Sequence, residues 1–137
     1  MQSTGPSGRP PDIAPGERTI LVVEDEGELR DLLGEILLDA GYNVLSARTA
    51  DDALPILESQ RPIDLLFTDV VMPGRLNGID LGKEARRLRP GLRVIYTSAY
   101  ADPELFRREG IERGSILPKP YLPGQIEQEI ARILAGG

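Results

Sequence analysis

The 137 residues include 16 lysines and arginines against 22 aspartates and glutamates, which gives a formal net charge of −6. This acidic balance argues against binding to the phosphate backbone of nucleic acids as the main activity. The chain has no cysteine and no histidine. Disulfide bonds, thiolate or imidazole metal sites and catalysis by a histidine are therefore excluded, and the length fits a single domain.

The first 17 residues differ in composition from the rest of the chain. Residues 1–17 hold four prolines and three glycines and lack the apolar core of a signal peptide. This composition predicts a disordered tail over residues 1–17 and a folded domain over residues 18–137. No apolar run approaches the roughly 20 residues of a membrane span, so we expect a cytoplasmic protein.

Beyond the tail, apolar runs of strand length alternate with segments of helical periodicity. Strands are predicted at 19–24, 42–47, 63–68, 92–98 and 115–118. Helices are predicted at 26–40, 49–59 and 79–88, in a short segment that begins at Asp102, and in a last segment that contains Ile126, Ile130 and Ile133. Repeated strand–helix units of this kind predict an α/β fold with a parallel sheet and helices on both faces.

Two prolines refine this prediction. Pro55 lies inside the second predicted helix, where it removes the hydrogen bond to the carbonyl of Asp51. We therefore expect a kink or a loose first turn in that helix. Pro118 ends the fifth strand, and proline is tolerated mainly in edge strands. The fifth strand is therefore predicted at an edge of the sheet.

Polar residues follow the predicted strands at the points where four of them end. Those residues are Glu24 and Asp25 after strand one, Asp69 after strand three, Thr97 and Ser98 at the end of strand four, and Lys119 after strand five. Because the carboxyl ends of parallel strands meet at one edge, we expect these side chains to converge. Taken singly, each has a simpler explanation, such as a capping box formed by Asp25 and Glu28 or a turn formed at Asp69.

The residue types at this edge suit phosphoryl chemistry. Clustered carboxylates repel one another unless a cation neutralises them, and Mg²⁺ prefers oxygen ligands of this kind. A carboxylate is also a competent nucleophile toward phosphoryl groups and forms an aspartyl phosphate. The charge that develops on the transferred group can be stabilised by a metal ion, an ammonium and a hydroxyl.

Together, these residues resemble the receiver domains of two-component response regulators, the CheY-like fold, over residues 18–135. The motifs that carry the resemblance are Glu24-Asp25, Asp69 followed by Met72-Pro73 and Gly78, Ser98-Ala99, and Lys119-Pro120. The resemblance implies a doubly wound sandwich, flavodoxin-like, whose five-stranded parallel sheet has the order 2-1-3-4-5.

The resemblance also implies a role for each site residue. Asp69 would accept a phosphoryl group from a histidine kinase or a histidine phosphotransfer protein. Mg²⁺ would be bound by Asp69, by Asp25, by Glu24 through a water, and by the backbone carbonyl of Val71. Lys119, joined to Pro120 by a cis peptide bond, would contact the phosphoryl oxygens. Ser98 would supply the hydroxyl, because the small residue Ala99 follows it, with Thr97 as the alternative.

The sequence departs from the family pattern in several places. The acidic pair is Glu-Asp rather than Asp-Asp, and the loop after Asp69 has one residue more than the commonest pattern before Gly78. Ile116 occupies the position of the usual aromatic switch, so Tyr100 is a candidate replacement, with surface packing as its other explanation. Pro55 makes the second helix unusual.

The last predicted helix is followed directly by Gly137, so we expect a stand-alone receiver, or one excised from a larger protein. Phosphorylation would switch binding of a protein, or formation of a homodimer, through helix 4, strand 5 and helix 5, with no nucleic acid or membrane partner. No enzymatic activity is expected beyond the domain's own phosphorylation and dephosphorylation. An alternative is an interaction module that acts without phosphate. A phosphatase is a third, disfavoured reading, because VVEDEGE lacks the D-x-D pattern of aspartyl phosphatases.

Overall fold

The computed structural model describes residues 18–72, 74–99 and 102–136. The predicted tail, Pro73 and Tyr100 lie outside these residues. The strands are β1 (Thr19–Val23), β2 (Asn43–Ala47), β3 (Leu65–Asp69), β4 (Arg93–Ser98) and β5 (Ile116–Pro118). The α-helices are α1 (Gly27–Asp39), α2 (Ala50–Glu58), α3 (Gly78–Leu88), α4 (Pro103–Arg108) and α5 (Pro123–Ala135). The alternation predicted from the apolar runs is therefore confirmed.

The strands form one five-stranded sheet in the order β2-β1-β3-β4-β5, and all four neighbouring pairs are parallel. This is the predicted order. Every residue of β1 and β3 is buried, as expected for central strands covered on both faces. The three-residue strand β5, which ends in Pro118, lies at the sheet edge as predicted.

Side-chain alternation along the strands divides the core between the two faces of the sheet. On one face, Ile20 and Phe67 belong to a cluster that includes α1 and α5 residues such as Leu37 and Ile130. On the other face, Leu21, Leu66 and Val94 pack against α2, α3 and α4, and the helical residues of that cluster include Ala53, Leu81 and Phe106. Both faces are thus covered by helices, and the polar strand ends are left at the carboxyl edge.

Helix α2 runs through Pro55 without interruption. We expected a kink or a loose first turn; the first turn is capped by Thr49, whose Oγ1 accepts a hydrogen bond from the N–H of Asp52 at 3.1 Å. A capping hydroxyl at this position satisfies one of the backbone donors that a helix start leaves without a partner.

Candidate functional site

Three carboxylates meet at the carboxyl edge of the sheet. One oxygen from each of Glu24, Asp25 and Asp69 lies within 4.8 Å of the others. Glu24 directly follows β1 and Asp69 ends β3, and the two strands are neighbours in the sheet. Glu24 and Asp69 are buried, whereas Asp25 is exposed. The convergence predicted from the strand ends is therefore present, with one carboxylate facing solvent.

Lys119 brings a positive charge into this cluster. Its Nζ donates to Asp69 Oδ2 at 2.9 Å and to Glu24 Oε1 at 3.3 Å. Burial alone would lower the pKa of the ammonium, but the hydrogen bond to Asp69 and the charges of Asp69 and Glu24 raise this pKa overall. The backbone of Lys119 is fixed as well, because its N–H donates to the carbonyl of Ser98 at 2.8 Å. The Lys119–Pro120 peptide bond is cis, as predicted.

Glu24 occupies the most enclosed position of the three acids, with only 2% of its surface exposed. Burial raises the pKa of its carboxyl group, and a hydrogen bond from the N–H of Glu26 and the charge of Lys119 oppose the rise. The Glu26 N–H lies 3.1 Å from Glu24 Oε2. One oxygen of Glu24 is thus held by backbone while the other contacts Lys119.

The capping box considered for Asp25 is wrong. Helix α1 begins at Gly27, and its N-cap residue is Glu26, with no side-chain capping bond. Asp25 therefore lies one residue too early to cap the helix. The turn is instead held by Arg30, whose guanidinium donates to the carbonyl of Glu24 at 2.9 Å. Asp25 is left free of a capping role at the edge of the acidic cluster.

Two hydroxyl groups end β4 beside the cluster. Thr97 is paired in register with Asp69 and is 1% exposed. Its Oγ1 has no hydrogen-bond partner among the described residues. Ser98, also buried, follows at the strand end. Because strand residues alternate between faces, Thr97 shares the α1–α5 side of the sheet with Asp69, and Ser98 lies toward the other side.

The β3–α3 loop, which the structure describes at residues 70–72 and 74–77, borders the site. The N–H of Gly78 donates to the carbonyl of Val70 at 2.8 Å and closes the loop. A Cβ on Gly78 would lie 1.9 Å from the backbone oxygen of Asp69, so no larger residue fits. Val71, which is 68% exposed, has its N–H 3.4 Å from Asp69 Oδ1. The glycine of the sequence motif is therefore a packing requirement next to Asp69.

Tyr121 is a further residue near the cluster. Its ring packs edge-on against Phe67, with the centroids 6.3 Å apart. Burial raises the pKa of its phenol to about 12, and its hydroxyl lacks a partner among the described residues. The only sequence clue to Tyr121 is its position two residues after Lys119.

Ile116, at the position of the usual aromatic switch, is half-buried at the start of β5. It lines a cavity of about 390 Å³ between α4 and β5, together with Phe106 and Ile111. The surface formed by α4, β5 and α5 therefore includes an apolar hollow, and two arginines, Arg107 and Arg113, also line it.

The donor set fits a hard divalent cation. All three side chains offer carboxylate oxygens, and the sequence contains no imidazole or thiolate that would favour a softer metal. Three carboxylates and one ammonium leave an excess of negative charge, which a divalent ion offsets. Mg²⁺ commonly keeps several waters beside one or two carboxylates, and the exposure of Asp25 leaves room for them.

None of the described helices has the length and apolar character needed to cross a membrane.

Comparison with known proteins agrees with this geometry. Residues 20–131 match the family model of the response regulator receiver domain. The chain is 39% identical over 117 residues to the transcriptional regulatory protein CpxR of Klebsiella pneumoniae, an alignment that covers 84% of this chain and 48% of CpxR. It is 30% identical over 118 residues to the response regulator receiver protein CpdR of Brucella abortus, covering 85% of this chain and 97% of CpdR. The chain thus spans about half the length of CpxR and nearly all of CpdR.

Solved structures show the same fold. A response regulator receiver protein from Sinorhizobium medicae superposes with a TM-score of 0.79 at 28% identity, covering 85% of this chain and 94% of that one. A CheY-like receiver domain from Methanospirillum hungatei gives a TM-score of 0.78 at 29% identity, covering 87% and 94%. From the family match, the strand order and these relatives, the chain belongs to the response regulator receiver domains, the CheY-like modules of two-component systems.

Proposed function

We propose that this domain accepts a phosphoryl group on Asp69 from a phosphohistidine of a histidine kinase or a phosphotransfer protein, in a reaction that requires Mg²⁺. The observation that carries the proposal is the 2.9 Å contact between Lys119 Nζ and Asp69 Oδ2 inside the acidic cluster of a receiver domain. An ammonium at this distance lies where the oxygens of a group attached to Asp69 would need a positive charge.

The transfer is a substitution at phosphorus. A carboxylate oxygen of Asp69 forms a bond to phosphorus while the phosphorus–nitrogen bond of the donor breaks. The donor ring, protonated on its other nitrogen, keeps the electron pair of that bond and leaves as neutral imidazole. The products are an acyl phosphate on this chain and an unmodified histidine on the donor. Because these 137 residues contain no histidine, the donor histidine lies outside this receiver domain.

The chain's own residues orient the reaction. Asp69 is buried on a central strand, so its carboxylate has little freedom to turn away. The Lys119 ammonium stabilises the negative charge on the phosphoryl oxygens while the group moves from the donor to Asp69. Ser98, with Thr97 as the alternative, donates a hydroxyl hydrogen bond to one phosphoryl oxygen. Water is limited on the sheet side, because the β4 residues beside the cluster are buried.

Mg²⁺ would be held by Asp25 and Asp69 directly, by Glu24 through a water, and by the backbone carbonyl of Val71. Bound there, it would neutralise the charge of the phosphoryl oxygens. The hydrogen bond from the Glu26 N–H fixes one Glu24 oxygen, which favours an indirect role for this carboxylate.

We further propose that phosphorylation shifts the domain toward a conformation with a different α4–β5–α5 surface, which then binds or releases a protein, or forms a homodimer. The hollow lined by Ile116 and Phe106 lies on that surface. Residues 1–17 would form a tail outside the receiver, and the protein would act in the cytoplasm, as response regulators generally do. Neither nucleic acid nor membrane is a proposed partner, and the only catalysis proposed is of the domain's own phosphorylation and dephosphorylation.

The test uses a small-molecule phosphodonor with Mg²⁺ and intact-mass spectrometry. The parent protein should gain one phosphoryl group, and Asp69→Asn should gain none. Asp52→Asn, a change of equal charge on the exposed face of α2, serves as the matched control and should label like the parent. Equal labelling of Asp69→Asn and the parent would overturn the proposal. Absence of labelling in both, with partner binding insensitive to Asp69, would favour the phosphate-independent interaction module.

A further inference from the structure

The β3–α3 loop is held in the middle by a contact that its own strand and helix do not supply. Its two ends are joined by the hydrogen bond from the N–H of Gly78 to the carbonyl of Val70. Farther along, the N–H of Arg75 donates to Oδ2 of Asp51, on α2, at 3.0 Å. At the start of the loop, the N–H of Val70 also donates to the carbonyl of Thr97 on β4 at 2.9 Å, so the contact with Asp51 is the one that reaches the middle of the described loop from α2.

The loop backbone is shaped to receive this carboxylate. Gly74 has a φ of 112°, a conformation that side-chain-bearing residues rarely adopt. A Cβ on Gly74 would lie 2.5 Å from Oδ2 of Asp51, the same oxygen that bonds Arg75. Glycine is therefore required both for the turn and for the approach of the carboxylate. A chance surface contact would not need two adjacent residues to fit in this way.

The other end of the contact is rigid. Ala50 and Ala53, on either side of Asp51, are completely buried and anchor the first half of α2. The hydroxyl of Thr49 already caps the first turn by accepting the N–H of Asp52. The Asp51 carboxylate is thus not needed for capping, and a negative charge is favourable near a helix N-terminus. Asp51 can hold the loop without a cost to its own helix.

We propose that Asp51 is a positioning residue for the metal site, a role that rests on the function proposed above. By restraining Arg75, its carboxylate limits the movement of the loop that contains Val71. The N–H of Val71 already lies 3.4 Å from Asp69 Oδ1, and the Val71 carbonyl is the proposed backbone ligand of Mg²⁺. The loop carries one residue more than the commonest receiver pattern. The added residue increases the conformational freedom of the loop backbone, and the contact with α2 restricts it.

The experiment compares Asp51→Ala with Asp52→Ala, which removes the same charge from the next residue of the same helix turn. Mg²⁺ affinity is measured by calorimetric titration of the whole chain, and hydrogen exchange of the Arg75 amide is followed by NMR. Asp51→Ala should weaken Mg²⁺ binding about tenfold, the low end for residues that orient metal ligands. The Arg75 amide should exchange faster in the same variant. Asp52→Ala should change the affinity less than about twofold, since its charge is exposed and screened.

Asp51→Asn separates the hydrogen bond from the charge, because the amide oxygen can still accept from Arg75. It should keep Mg²⁺ affinity within about threefold of the parent. Equal affinity of Asp51→Ala and the parent would overturn the positioning role, as would equal losses in Asp51→Ala, Asp51→Asn and Asp52→Ala, which would indicate charge alone. Weaker binding with unchanged Arg75 exchange would overturn it too. A parent protein that binds no Mg²⁺ would instead refute the function itself.

Discussion

Gly78→Ala is the substitution whose effect the structure defines most closely. The new Cβ would lie 1.9 Å from the backbone oxygen of Asp69 and 2.8 Å from the Cα of Val70, where ordinary contact needs 3.4 Å or more. The gap to the oxygen is thus about 1.5 Å too small. Both neighbours are backbone atoms, one in the last residue of a buried central strand and one in the residue after it. Neither can turn aside as a flexible side chain would.

The cost of such overpacking is about 3 kcal/mol of the free energy of unfolding. At a urea dependence of about 1.5 kcal/mol per molar, the unfolding midpoint should fall by about 2 M. Because the clash involves Asp69 itself, labelling by a phosphodonor should fall even under conditions where the variant is folded. Urea titration followed by circular dichroism measures the first effect and intact-mass spectrometry the second.

Gly34→Ala is the matched control. Gly34 lies within α1, and a Cβ there would meet nothing within 4 Å. The same chemical change should therefore stabilise the protein by about 0.5–1 kcal/mol, since alanine favours a helix interior over glycine. If Gly78→Ala unfolds at the same urea concentration as the parent, or if both variants shift in one direction, the packing explanation is refuted.

Four further changes give distinct outcomes. Lys119→Met removes the ammonium that contacts Asp69 and should raise Mg²⁺ affinity about three- to tenfold while lowering phosphorylation; weaker Mg²⁺ binding by calorimetry would contradict this. Thr97→Val replaces a buried hydroxyl without a described partner, so the free energy of unfolding should stay equal or rise by up to about 1 kcal/mol, and a clear loss would show that the hydroxyl is bonded. Phosphoryl transfer should fall more in Ser98→Ala than in Thr97→Val, and the reverse order in labelling rates would make Thr97 the phosphoryl contact. Pro55→Ala restores an N–H within α2 and should raise the free energy of unfolding by about 1 kcal/mol in urea titrations, whereas no change would mean that the helix has adapted fully to the proline.

The fold could be predicted because its determinants are local. Apolar runs such as that of β3 identify buried strands, and the intervening periodicity identifies helices. The carboxyl ends of parallel strands lie at a common edge of the sheet. The proximity of Asp69 to Glu24 can therefore be predicted without knowing the shape of any loop. Pro118 placed β5 at the edge for an equally local reason, its missing N–H.

Other features depend on atomic contacts that sequence patterns do not encode. The pattern of Asp25 and Glu28 matches a capping box, but the helix starts one residue later than that box requires. The contact of Asp51 with Arg75 depends on the path of an irregular loop, which has no periodicity to interpret. That Lys119 is shared between two acids follows from the packing of β5 against β4, and the Lys-Pro motif alone does not reveal it.

The sharing of Lys119 has a consequence for how the site assembles and fails. Lys119 and Glu24 are separated by 95 positions in the chain, so the contact closes a long loop and requires synthesis to have passed Lys119. Lys119 follows an edge strand of three residues, which has the shortest paired register of the sheet. Local opening of that edge would withdraw the ammonium while the central strands stay paired. Neutralisation of the acidic cluster by Lys119 therefore depends on β5 staying paired, and it can be lost while the rest of the sheet is intact.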